Sequence, residues 1–138
     1  METAAGRAGP KLVEYADAAP EVRAVFDDIK AMRGVADVNN LWKALAVHPP
    51  TLARTWESLK EVMAPGGALD PLTKEMLYLA ASAAAGCAYC TASHTAAARA
   101  KGMTEAMRGE LLAVVAMAAE TNRLAEALRV PVDSAFES

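Results

Sequence analysis

Cys87, Cys90 and His94 follow one another at intervals of three and four residues. On an α-helix each residue advances about 100°. Cys90 then lies about 60° round from Cys87, and His94 about 20° from it, so all three project from one narrow face. Two cysteines separated by two residues can close a disulfide without large backbone strain. Cys87 follows Gly86 at the expected helix start, where unbonded N–H groups and the positive end of the helix dipole favour a thiolate. His94, one turn on from Cys90, can take its proton directly or through one water. The stripe reads first as thiol redox chemistry.

These residues need elements to hold them. Asp70-Pro71 reads as an N-cap followed by the first helical residue, opening a helix to about Ala85 that Gly86 ends. A second helix runs from about Cys87 to Lys101 and stops at Gly102. Glu75 is the one acid between Gly67 and Gly86 after the capping Asp70, and its face also carries Leu72, Leu79 and Ser82. It therefore points inward, where a carboxylate is costly without a partner. If the two helices form an antiparallel hairpin, that partner is His94, and Glu75 orients it.

The rest of the chain reads as helix too. Pro20 to about Arg33 carries Val22, Val25, Phe26 and Ile29 on one face, and Gly34 stops it. Asn39 or Asn40 caps a short helix with Leu41, Trp42 and Leu45, and His48-Pro49-Pro50 ends it. Pro50 opens a helix to about Met63 with Leu52, Trp56, Leu59 and Met63 inward, and Pro65-Gly66-Gly67 breaks the chain. Thr104 caps a last helix from Glu105 to about Ala119, with Leu128 as its far limit, before Pro131. No run of period two suggests a strand. The expectation is an all-α fold of six or seven helices around a central hairpin, with residues 1–11 a flexible tail and 12–138 one domain.

The pattern of Glu75, eleven residues, Cys87-Ala88-Tyr89-Cys90, three residues, His94 resembles the AhpD-like (alkylhydroperoxidase D) branch of the carboxymuconolactone decarboxylase superfamily. The resemblance covers roughly Leu41 to Leu124. A lone C-x-x-C is a weak signal; the four-point spacing in an alanine-rich hairpin is far more specific. The resemblance implies an all-α domain that assembles as a homotrimer or homohexamer and reduces small hydroperoxides without a cofactor. It implies that Cys90 attacks, activated by Glu75 through His94 and a bridging water, and that Cys87 resolves the sulfenic acid into a disulfide. It also implies a thiol or disulfide reductant, such as a peroxiredoxin or another redox protein. Position at the helix start would instead favour Cys87 as the nucleophile. Peroxidase members carry a histidine before the second cysteine, where this chain has Tyr89, a poor base at neutral pH; Tyr89 is expected to pack or donate a hydrogen bond. The decarboxylase branch lacks the cysteine pair, which argues against lactone decarboxylation.

Composition narrows the field further. Of 138 residues 54% are hydrophobic but only 5% aromatic, and much of the apolar content is alanine. Alanine favours helix and buries little area, so association with other subunits is expected. The 14 basic and 17 acidic residues are scattered, with no cationic patch for nucleic acid. Met1 to Pro10 lacks the apolar core of a signal peptide, so the cytoplasm is expected. There a cysteine pair is catalytic or metal-binding rather than a structural staple. No formally charged residue falls between Glu75 and Arg99, but Ser82, Gly86, Thr91, Ser93, His94 and Thr95 argue for two helices buried in protein, not a membrane span. The alternative to redox turnover is a metal- or partner-binding module, with Cys87, Cys90, His94 and Glu75 as zinc-type ligands. His48 reads as a loop residue, Trp42 and Trp56 as core or interface, and Met103, Met107 and Met117 as gap fillers. Ser82 is expected to hydrogen-bond to the helix backbone or within the site.

Overall fold

Three helices open on a proline, Pro20, Pro49 and Pro71, where the missing N–H costs nothing and the fixed φ is already helical. In the computed structural model, which describes residues 9–137, the order is α1 (Pro20–Arg33), α2 (Asn40–Leu45), α3 (Pro49–Met63), α4 (Pro71–Ala84), α5 (Ala88–Ala100) and α6 (Glu105–Leu128). Short 3-10 turns at Tyr15–Asp17 and Ser134–Phe136 were not legible in the sequence pattern. Among the described residues there is no strand, and no helix is long and apolar enough to cross a membrane. The expected tail at residues 1–11 falls mostly on residues 1–8, outside the described residues.

The chain forms two compact units, divided between Met63 and Ala64. In the first, α1 and α2 pack on α3. Phe26, Ile29 and Leu52 are fully buried, and Trp42 and Trp56 meet edge to face with ring centroids 5.4 Å apart. The Trp56 indole N–H donates to Asp28 at 2.6 Å, so the ring's one polar atom is satisfied. Both tryptophans are thus core residues. The third helix starts at Pro49 rather than Pro50, because the His48 carbonyl accepts the N–H groups of Thr51 and Leu52 and so takes the capping place. His48 is an exposed loop residue whose ring bonds the Thr51 hydroxyl.

In the second unit α4 packs on both α5 and α6. Asp70 caps α4 by accepting from the Thr73 N–H at 3.0 Å, and Thr104 caps α6 through the Met107 N–H. Gly86 turns the chain from α4 into α5 with φ of 72°, and Gly102 turns it into α6 with φ of 107°. Both lie in the left-handed region where a Cβ is strained. Leu79, Ala98 and Met103 form the core, flanked by Leu72, Met76, Met107 and Leu111. The last helix reaches Leu128, the far limit read from the sequence. Its second half has little cover within the unit, and Met117 is 57% exposed. This corrects the reading of Met117 as a gap filler: it lies beyond the turns of α6 that meet α4.

Candidate active site

Glu75 is buried in the middle of α4 and both its carboxylate oxygens are engaged. Oε2 lies 2.7 Å from His94 Nδ1 on α5, and Oε1 accepts from Lys101 Nζ at 3.0 Å. Burial pushes this carboxyl upward. The hydrogen bonds from His94 and Lys101, with their charges, outweigh it and hold the group below its ordinary 4.5. At neutral pH Glu75 is therefore an anion that can only accept, so Nδ1 of His94 donates. In neutral His94 the proton then sits on Nδ1, and Nε2 keeps its lone pair for a proton arriving from elsewhere.

The Tyr78 ring fixes the imidazole from one face. Its centroid is 3.6 Å from that of His94 and the planes differ by 18°. Tyr78 is one turn from Glu75 on the same helix, so α4 supplies both the hydrogen-bond acceptor and the stacking surface for His94. With its side chain only 15% exposed, His94 is held in orientation before any substrate arrives.

Cys87 is the N-cap of α5, and its Sγ accepts the Cys90 N–H at 3.2 Å. Its own N–H donates to the Ser82 carbonyl at 3.0 Å, which ties the start of α5 to the end of α4. Cys87 and Cys90 form a disulfide, with Cα atoms 5.4 Å apart. Both are half-buried. His94 follows Cys90 by one helical turn, on the same side of α5. Tyr89, between the sulfurs in sequence, is 42% exposed.

The hairpin therefore joins Glu75 to His94, and Cys87 to Cys90, on elements that touch along their length. Ser82 is buried, and its main-chain carbonyl accepts the Cys87 N–H. Among the described residues no group of three or more His, Cys, Asp or Glu is placed to hold a metal ion. The sulfurs bond each other, and Nδ1 of His94 faces a carboxylate. Sequence reasoning missed Tyr78 and Lys101. Lys101 lies seven residues beyond His94, hence on the same face of the turn, and Tyr78 three beyond Glu75; those spacings were the available signal.

A family model, the carboxymuconolactone decarboxylase family, matches residues 50–133, a span that holds all four site residues. The chain belongs to the carboxymuconolactone decarboxylase family. Within it the chain is AhpD-like. The crystal structure of the alkylhydroperoxidase AhpD core from Rhodospirillum rubrum is similar at 56% identity, with a TM-score of 0.90, over 96% of this chain and 99% of that one. No curated protein matches the chain. The all-helical architecture read from capping and periodicity is thus that of the AhpD core.

Proposed function

We propose that this family member is a thiol-dependent peroxidase that reduces small hydroperoxides through Cys90 and Cys87. The observation that carries the reading is the Glu75–His94 hydrogen bond of 2.7 Å on the hairpin that also holds the Cys87–Cys90 pair. In the reduced protein, His94 takes the Cys90 proton on Nε2, directly or through one water, and Glu75 stabilises the imidazolium that results. The Cys90 thiolate attacks the outer peroxide oxygen. The O–O bond breaks, the alkoxide leaves with a proton as the alcohol, and Cys90 becomes a sulfenic acid. The Cys87 thiol attacks that sulfur and water departs. In this reading the Cys87–Cys90 disulfide is the oxidised end of the cycle, and two electrons from a thiol reductant or redox-protein partner return it to two thiols.

In this reading Tyr89 is not a base for disulfide closure. The chemistry suits the cytoplasm, where disulfides are re-reduced. The chain acts as a homotrimer or homohexamer, with Met117 and Leu124 on the uncovered half of α6 supplying apolar contact. The direct test is anaerobic. Stoichiometric hydroperoxide should remove two titratable thiols per chain, recoverable with dithiothreitol, and Cys90→Ser should abolish peroxide consumption. Consumption at the wild-type rate by Cys90→Ser contradicts the assignment.

A further inference from the structure

Lys101 is the C-cap of α5, where the chain turns toward α6. Its N–H bonds the Ala98 carbonyl at 3.0 Å, and the Met103 N–H bonds the same carbonyl at 2.9 Å. The backbone turn thus fixes where the side chain begins. From there Nζ donates to Oε1 of Glu75 at 3.0 Å, while Oε2 of the same carboxylate lies 2.7 Å from Nδ1 of His94. One buried acid is shared between a lysine ammonium and the imidazole that serves Cys90.

The charges of these three groups change together. With His94 neutral, Glu75 and Lys101 cancel. Once His94 takes the Cys90 proton, the three carry a formal charge of +1. A neutral residue at 101 would let the same step run from −1 to zero. The Glu75 and His94 side chains are 9% and 15% exposed, so water screens them little, and a net charge there costs more than a cancelled one. Imidazolium and ammonium on one carboxylate also repel each other, being well within a Debye length. Tyr78 of α4 stacks on His94. Among the described residues α6 places no hydrogen bond or ion pair on Glu75 or His94.

We infer that Lys101 is a positioning residue that also restrains the relay: it anchors Oε1 of Glu75, and its positive charge limits how strongly His94 draws the proton from Cys90. The inference rests on the relay proposed above. The proton leaves Cys90 Sγ for Nε2 of His94, and the thiolate stays behind. A purely structural tie between the end of α5 and α4 has the opposite consequence, because its loss would loosen Glu75 and weaken His94 as a base.

The test is iodoacetamide alkylation across pH of full-length Cys87→Ser protein, which keeps one of the chain's two cysteines. Lys101→Gln should move the profile to lower pH by about half to one unit and speed alkylation at neutral pH about three- to tenfold. The difference should narrow as salt rises, since the Lys101 side chain is 40% exposed. Lys101→Met should act alike, and Lys101→Arg, which keeps the charge, should return the profile to that of the parent. A Lys101→Gln profile that stays in place or moves to higher pH overturns the proposal, as does a Lys101→Arg profile that follows Lys101→Gln. Peroxide consumption is scored separately on the protein with both cysteines. The expected shift without peroxide turnover keeps the restraint and removes the peroxidase reading; turnover with an unmoved profile does the reverse.

Discussion

Residues 9–63 bury large side chains, Phe26, Ile29, Trp42, Leu52 and Trp56, and of polar residues only Lys43, which Glu14 and Asp37 hold in ion pairs. Residues 64–137 bury only Leu79, Ala98 and Met103 as apolar core, and alongside them Glu75, Ser82 and Thr95. The first unit is held by area removed from water. The second is held by close approach of alanine-rich helices, by caps at Asp70 and Thr104, and by the pairing of buried Glu75 with His94 and Lys101. The difference teaches why the site lies where it does. Small side chains let α4 and α5 come close enough for Glu75 to reach both His94 and Lys101, and a bulkier core would fill that space.

The comparison breaks first at Phe26. Phe26→Ala should cost about 3–5 kcal/mol of stability, read by urea unfolding, while thiol alkylation in the folded protein is unchanged. A loss of thiol reactivity in folded Phe26→Ala would show that the two units are not separable in function. Glu75→Gln should cost less, about 1–3 kcal/mol, since it leaves Lys101 and His94 without their shared anion; here thiol reactivity should fall too.

Acid sharpens the same contrast. Because the folded Glu75 carboxyl titrates below its ordinary 4.5, its contribution is present above that value and is lost as pH drops through the lower folded value. Stability measured from neutral pH down past 4.5 should therefore fall more in the wild type than in Glu75→Gln. Parallel profiles would mean the carboxylate does not stabilise the hairpin. The smallest effect belongs to Arg129, which follows α6 with φ of 51°, a left-handed conformation that glycine adopts freely. Arg129→Gly should raise stability by about 1 kcal/mol without touching the thiols, checked by thermal unfolding.

Much of this was legible in the sequence because local chemistry decided it. Asp70-Pro71, Gly86 and Gly102 bounded the hairpin, and the acid–cysteine–cysteine–histidine spacing carried the family. Between Pro49 and Pro50 the local rule was indifferent, since either can stand first in a helix; the His48 carbonyl settled the choice. Tyr78 and Lys101 were missed for another reason. Their importance depends on the register of α4 against α5, which periodicity within one helix does not contain. Met117 was misread because the helical pattern of α6 continues past the last turn that α4 covers.

The central claim is that Glu75, acting through His94, activates the Cys90 thiol. The most direct measurement is iodoacetamide alkylation of Cys90 across pH in a Cys87→Ser background, with and without Glu75→Gln. The account predicts that Glu75→Gln moves the alkylation profile to higher pH and slows it at neutral pH, with the helical content unchanged. Superimposable profiles would contradict it.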